Sequence, residues 1–264
     1  MEKRILEILS NKPEIITELP EWMLNEEDLE TLRIEKNSAL VEIAGRDSIA
    51  AAIMAVDDRN LKVLLPSIVY TGTLYGNWET SFRAVEVLKN NMSSRNVKVI
   101  DPVITGSPPF WWEICGKYNY EFQKKYGFYS PCLGCHLYFH AQRIPLARKL
   151  GLSVIVAGER ESHDGKIKLS QIGPAIDAST SLCSKFGIDL ALPLRMVTEG
   201  RRIRSILGNN WKEGQEQLKC VLTRNYLFAD GSITFSEEAI RSYFKDFALP
   251  SAEKQVSKWL ENIS

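Results

Sequence analysis

Five short runs rich in Val, Ile and Leu recur along the chain, and the segments between them have helical periodicity. Several of the runs end in Gly or Pro, as buried parallel strands do. This alternation predicts an α/β fold: a doubly wound, mainly parallel five-stranded sheet with helices on both faces. In such a sheet, ligands bind at the carboxyl ends of the strands. The predicted strands cover residues 39–45, 61–72, 97–105, 152–158 and 189–194.

Three segments are predicted around this sheet. Residues 1–35 are expected to form a helical N-terminal extension, residues 36–210 the α/β domain, and residues 211–264 a C-terminal loop and helices. With 264 residues, 44% of them hydrophobic, the chain is long enough for one large core with such extensions. Several large domains are excluded.

The charge balance bears on the class of partner. Lys plus Arg and Asp plus Glu both number 33, so the net charge is zero and a polyanion would need a local basic patch. We find neither a signal peptide nor an apolar run of about 18 residues that would span a membrane. We therefore expect a cytoplasmic protein without a membrane partner.

The first predicted strand runs through Ala44, Gly45, Arg46, Asp47 and Ser48 directly into a helix of small residues. Free N–H groups at the helix N-terminus, the helix dipole, a hydroxyl and a guanidinium together favour a phosphate group at this turn. A structural alternative stays open, in which the glycine only tightens the turn and the acid or the serine only caps the helix.

This loop resembles the Ser-Gly-Gly-x-Asp-Ser signature of the PP-loop ATP pyrophosphatases, the adenine nucleotide alpha-hydrolase-like proteins. Gly45, Asp47 and Ser48 match that signature, whereas Ile43 and Ala44 replace its first Ser and Gly. In that family the loop binds the pyrophosphate of ATP, and the enzyme transfers AMP to a substrate oxygen. The resemblance implies that ATP binds at residues 44–48, with Asp47 as a catalytic residue.

A second turn follows the fourth predicted strand, in "VIVAGERESHDGK". Family members carry a glycine turn here that shapes the nucleotide pocket, and Gly158 fits it. Glu159, Glu161 and Asp164 supply carboxylates suited to Mg²⁺. For Glu161 and Asp164 we favour a solvated acidic loop.

Five cysteines, an odd number, favour metal or redox chemistry over a disulfide framework. Cys132 and Cys135 stand just ahead of a predicted amphipathic helix, so both thiols could bind one metal, and the first helical turn would lower their pKa. Cys183 is expected in the core. The other candidate ligands are Cys115, Cys220, His136 and His140.

The segment from Cys220 resembles a stretch of the PP-loop sulfur transferases that build the nickel-pincer cofactor. PP-loop tRNA thiolases share the same Cys-x-x-Cys and distal Cys. In such enzymes three cysteines hold a 4Fe-4S cluster whose fourth iron is open to sulfide, which implies Cys132, Cys135 and Cys220 as ligands here. The match is carried by Cys220, Thr223, Arg224, Gly231, Ile233 and Thr234.

The resemblance implies an ATP-dependent sulfur transferase that adenylates a small molecule with Mg²⁺ and takes sulfur from a sulfide donor. Arg224 is expected to be catalytic and Arg195 to bind the nucleotide, while Arg201 and Arg202 are further candidates near the pocket. Two alternatives stay open: a tRNA thiolase, and an ATP-independent iron-sulfur or zinc protein, a desulfidase or binding protein with a degenerate loop. A homodimer is also open.

Overall fold

A parallel sheet lies at the centre of the computed structural model, which describes residues 2–212 and 217–263. The strands are β1 (Ser38–Glu42), β2 (Val63–Val69), β3 (Leu74–Tyr75), β4 (Lys98–Val99), β5 (Val103–Thr105), β6 (Val154–Val156), β7 (Asp189–Ala191) and β8 (Lys219–Cys220). The parallel sheet has the order β4-β2-β1-β6-β7, and β5 also pairs with β2. The predicted α/β class with a mainly parallel sheet is confirmed.

The third predicted strand forms as two pieces, β4 and β5, which both pair with β2. Ile100 still donates its N–H to Leu64, at 2.9 Å. Pro102 has no N–H to donate, so the ladder is interrupted before β5 begins. For this reason the sheet has six strands instead of the predicted five, with β4 and β5 both beside β2.

Helices flank the sheet in two layers. The helices are α1 (Glu2–Asn11), α2 (Glu26–Ile34), α3 (Arg46–Arg59), α4 (Glu79–Met92), α5 (Pro108–Trp111), α6 (Asn119–Tyr126), α7 (Pro131–Lys149), α8 (Gly173–Lys185), α9 (Gly200–Leu207), α10 (Glu237–Tyr243) and α11 (Leu249–Glu261). One layer contains α3, α4 and α9, and the other contains α7, α8 and α11.

One hydrophobic core connects the three predicted segments. Ile5 and Leu9 of α1 are buried in it, as are Ala252 and Val256 of α11. Between α5 and α6, a π-helical turn at Trp112–Gly116 packs against α7. Among the helices within residues 2–212 and 217–263, none is both long and apolar enough to cross a membrane.

The winding of the sheet reverses at β1. From β1 the chain proceeds to β2, β4 and β5 on one side, then returns to β6 and β7 on the other side of β1. The carboxyl ends of β1 and β6 are therefore neighbours, and the segments that follow them meet there. This topological switch point is where ligands bind in open α/β sheets.

A second, two-stranded sheet was not predicted. In it β3 pairs antiparallel with β8, and Leu74 lies opposite Cys220. This pairing carries the C-terminal segment back to the carboxyl-end side of the main sheet. Residues 213–216, which belong to the predicted loop before Cys220, lie outside the described residues.

Candidate functional site

The turns that follow β1 and β6 are in direct contact. A Cβ built at Gly158 would lie 2.5 Å from the Ser48 backbone nitrogen, closer than carbon and nitrogen can approach. Only glycine therefore lets the β6 turn pack onto the start of α3. Gly45 differs, because its φ of 164° is extended backbone that any residue adopts.

The Ser48 hydroxyl closes the loop after β1. Its Oγ accepts from the N–H groups of Ala44, at 3.0 Å, and Gly45, at 3.1 Å, and donates to the Gly45 carbonyl at 2.8 Å. The first N–H groups of α3 follow directly, and no preceding helical turn satisfies them. The loop is thus internally capped, while the positive end of the helix dipole still faces the site.

Asp47 lies between two guanidinium groups. Arg46 donates from Nε to Oδ1 at 3.0 Å, and Arg160 donates from Nε to Oδ2 at 2.8 Å. Burial alone would raise the pKa of Asp47, but the hydrogen bonds and charges of Arg160 and Arg46 lower it below its usual value. Asp47 is therefore an ionised counterion.

Arg160 was missed by the sequence reasoning, although it stands two residues after Gly158. Its side chain is almost fully buried, and Nη1 also donates to the carbonyls of Val197 and Thr198, at 3.3 and 3.2 Å. A buried guanidinium with these partners fixes the turn after β6 to the segment before α9. The sequence feature that could have indicated Arg160 is its place directly after a predicted buried strand and the turn glycine.

Glu159 is held by two histidines of α7. Its Oε1 lies 2.8 Å from His140 Nε2 and 3.6 Å from His136 Nδ1. Burial would raise the pKa of Glu159, but the two imidazoles hold it well below its usual value. Its second oxygen, Oε2, is buried and accepts no hydrogen bond within the described part of the chain. One carboxylate oxygen at this site therefore stays unpaired.

The other two carboxylates considered for Mg²⁺ point to different partners. Glu161 accepts from Arg195 Nε at 2.7 Å, and Asp164 accepts from the Gly200 N–H at 2.7 Å. Arg195 also pairs with Asp177, at 2.7 Å. Within residues 2–212 and 217–263, no three Cys, His, Asp or Glu side chains are arranged to hold a metal ion. The structure thus does not form the three-carboxylate grouping.

A cavity of about 450 Å³ opens over the loop, and we call it the loop cavity. Of the residues predicted to bind the nucleotide, all except Arg195 line it. Arg201, another predicted cation, is exposed and pairs with Glu199. Those that line it are Ala44, Gly45, Arg46, Asp47, Ser48, Gly158 and Glu159.

A second cavity, of about 810 Å³, is lined by Cys132, Cys135 and Cys220, and we call it the thiol cavity. Cys132 and Cys135 come from the first turns of α7, and Cys220 is delivered by β8. The Cys220 sulfur accepts from the Leu222 N–H at 3.4 Å and lies 3.4 Å from Thr73 Oγ1. Arg224, the second predicted catalytic residue, also lines this cavity.

The expected lowering of the thiol pKa values is wrong. Since α7 begins at Pro131, both cysteines lie inside the helix rather than ahead of it, and both are half-buried. Burial raises the pKa of Cys132 to about 12 and also raises that of Cys135, and negative charge on Cys220 adds to both shifts. The raised pKa values favour the protonated thiols of Cys132 and Cys135 when no positive charge lies beside them.

The three sulfurs share one cavity, but within the described residues no three Cys, His, Asp or Glu side chains are arranged to hold one metal ion. Cysteines that hold a 4Fe-4S cluster bind separate irons and stand further apart than the ligands of one zinc ion.

The two remaining cysteines do not line the thiol cavity, as the described residues define it. Cys183 is fully buried in α8, which confirms that it is a core thiol. Cys115, in the π-helical turn, packs behind the Cys pair: a Cβ built at Gly134 would lie 3.2 Å from its sulfur. It is a buried neighbour of the set rather than a member.

The two cavities adjoin each other. They share His136 and Phe139 of α7 together with His163 and Lys168 from the segment after β6. A molecule bound across this junction would contact both the loop after β1 and the three thiols. The sheet reversal and the β3-β8 pairing are what bring the two predicted sites together.

Uncharacterized protein MJ0009 from Methanocaldococcus jannaschii is 35% identical to this chain over 216 residues, which are 81% of this chain and 78% of that protein. No family model matches the chain.

Proposed function

The chain belongs to the same family as MJ0009, and we propose that it is an ATP-dependent sulfur transferase of the PP-loop type that acts on a small molecule. The observation that carries the proposal is the junction of the two cavities, because a nucleotide loop and a thiol set then serve one bound substrate. The net charge of zero supports a small molecule over tRNA.

In the proposal, ATP binds in the loop cavity. The N-terminus of α3 and the guanidinium groups of Arg46 and Arg160 provide positive charge for its phosphates. Mg²⁺ is commonly held by one or two carboxylates together with substrate phosphates. Glu159, with its unpartnered Oε2, is the carboxylate that fits this role, and a bound Mg²⁺ would offset phosphate charge.

The three thiols are proposed to hold a 4Fe-4S cluster. When bound, such a cluster offers an iron without a protein ligand, which can carry sulfide. Cys132, Cys135 and Cys220 would be its ligands, and Trp111 donates from Nε1 to the Cys135 sulfur at 3.3 Å, a contact that favours a thiolate. All five cysteines are free thiols, which suits a reducing compartment, so the proposal includes a cytoplasmic location.

The proposed reaction has two bond exchanges. A substrate carboxylate, amide or carbonyl oxygen bonds to the α-phosphorus of ATP, the bond to the bridging oxygen breaks, and pyrophosphate leaves. Sulfide then bonds to the substrate carbon and loses its proton to solvent, while the carbon–oxygen bond breaks and AMP leaves with the electron pair. Arg224 lines the thiol cavity, and in the proposal its guanidinium attracts an anionic substrate.

A second candidate function has its own observation. The Ser48 hydroxyl occupies the N–H groups of Ala44 and Gly45, and Asp47 is neutralised by Arg46 and Arg160. A loop whose N–H groups and carboxylate already have partners within the protein does not need a bound phosphate. The protein would then be an iron-sulfur or zinc protein, a desulfidase or a binding protein, that uses no ATP.

The first test is anaerobic purification followed by iron, sulfide and zinc analysis and an absorption spectrum. We expect about four irons and four sulfides per chain in the wild type, and their loss in Cys220→Ala. Cys183→Ala is the matched control, because it removes a buried thiol outside the thiol cavity. One zinc without iron would overturn the cluster.

Calorimetric titration with ATP separates the two candidates. Binding to the wild type that is weakened by Arg46→Met, which removes a guanidinium proposed to contact the phosphates, supports the transferase. A wild type that holds the cluster but does not bind ATP would support the second candidate instead.

A further inference from the structure

Lys168 stands at the junction of the two cavities on a rigid support. Two residues before it, a tight turn ends in which Asp164 and Gly165 have positive φ values, 54° and 80°, and His163 and Lys166 exchange backbone hydrogen bonds, both 3.1 Å long. The bond from Gly200 to Asp164 ties this turn to α9. The next residue, Leu169, is buried. Both flanks therefore fix the backbone of Lys168.

The cations at this junction lack carboxylate partners. Neither Lys168 nor Arg224 has a carboxylate within ion-pairing distance in residues 2–212 and 217–263. Among the described residues, four carboxylates line the loop cavity, and each contacts another group: Asp47 pairs with two guanidinium groups, Glu159 with two imidazoles, Asp164 with the Gly200 N–H and Glu42 with Arg143. No Asp or Glu is among the described residues that line the thiol cavity. The junction is thus arranged for an anionic ligand.

The pKa of Lys168 agrees with this arrangement. Burial lowers it, the attraction of Asp47 opposes that effect, and the like charges of Arg160 and Arg46 lower it further. An anion bound beside the ammonium would offset the repulsion.

We propose that Lys168 is a catalytic residue that contacts the phosphate of the adenylated substrate. The inference rests on the proposed function and names the group that serves its second step. When sulfur bonds to the substrate carbon and the carbon–oxygen bond breaks, the electron pair moves onto the phosphate of departing AMP. An ammonium already held at the junction stabilises that charge as it develops.

The test uses the full-length, cluster-containing protein, and the probe is AMP. Calorimetric titration compares the wild type with Lys168→Met, which removes the charge, and Lys168→Arg, which retains it. Lys62→Met is the control, because Lys62 directly precedes β2 and therefore lies at the amino-terminal ends of the strands, away from both cavities. We expect AMP affinity to fall about tenfold in Lys168→Met, since one charge-assisted contact is lost, to be largely retained in Lys168→Arg, and to be unchanged in Lys62→Met.

Turnover adds a second readout. In an assay with ATP and a substrate, Lys168→Met should lower kcat more than it raises the KM for ATP. The reason is that the contact between the Lys168 ammonium and the phosphate strengthens as AMP departs. Unchanged AMP binding in Lys168→Met, in a protein whose wild type binds ATP, would overturn the role of Lys168 and leave the proposed function standing. A wild type that binds neither ATP nor AMP would overturn the proposed function, and the role of Lys168 with it.

Discussion

Gly158 packs directly on the backbone of Ser48, so that the turn after β6 and the first turn of α3 touch without any side chain between them. This contact joins the two halves of the loop cavity. It exists only because the sheet reverses its winding at β1.

Gly158→Ala is expected to destabilise the protein by about 1–3 kcal/mol, the usual cost of overpacking, and to weaken ATP binding. The added Cβ would have to displace backbone rather than a flexible side chain. Urea denaturation measures the free energy of unfolding. Gly72→Ala is the control, since a Cβ there meets no atom within 4 Å. Equal stability of both variants would contradict the packing argument.

Arg160→Met tests the buried ion pair with Asp47. Removal of the guanidinium leaves the carboxylate short of a partner, and we expect a loss on the order of 3 kcal/mol. Arg195→Met is the comparison, because that guanidinium is only partly buried and its pairs should contribute less than about 1 kcal/mol.

The same pair predicts a pH dependence. The folded-state pKa of Asp47 is lowered, so its contribution to stability is fully present above the unfolded-state value of about 3.9 and is lost as the pH falls through the folded-state value. Denaturation between about pH 6 and pH 3 should therefore show a steeper loss of stability in the wild type than in Arg160→Met. If stability falls equally with pH in both proteins, the pKa of Asp47 is not lowered by Arg160.

Cys115→Ala and Cys135→Ala separate a packing thiol from a ligand. Cys115 is buried and Cys135 is half-buried; they lie in adjoining elements, but only Cys135 lines the thiol cavity. We expect anaerobically purified Cys115→Ala to keep its iron at a cost of about 1 kcal/mol in stability, and Cys135→Ala to lose its iron. Iron loss in both variants would place Cys115 among the ligands.

Ser48→Ala removes the acceptor that closes the loop. Two loop N–H groups then lack their partner, and we expect a loss of about 1–2 kcal/mol. Thermal denaturation with and without ATP measures it. Ser10→Ala, at an exposed helical serine, should change stability by less than about 0.5 kcal/mol. If Ser48→Ala lowers stability no more than Ser10→Ala does, the Ser48 hydroxyl does not close the loop in solution.

Local pattern was enough for much of the fold. The periodicity of residues 38–59 predicted β1, the loop and α3 together, because strand and helix periods are properties of neighbouring residues. Cys183 was predicted as a core thiol from its buried helical face. The interruption before β5 has a local cause as well, Pro102, although the apolar pattern of residues 97–105 predicts one strand.

The site depended on contacts between residues far apart in sequence. Arg160 reaches Asp47 from 113 positions away, and no periodicity of either segment encodes their meeting. Arg195, expected at the nucleotide, instead pairs with Glu161 and Asp177. Cys220 reaches the Cys pair only through the pairing of β8 with β3.

The sequence by itself therefore determined which elements form and which residue types are available for chemistry. The order of strands in the sheet decided which of those residues meet, which groups contact Asp47 and Glu159, and how far the thiols are buried. The physical reason is that helix and strand propensity act over a few residues, whereas burial, ion pairing and pKa depend on all neighbours in space.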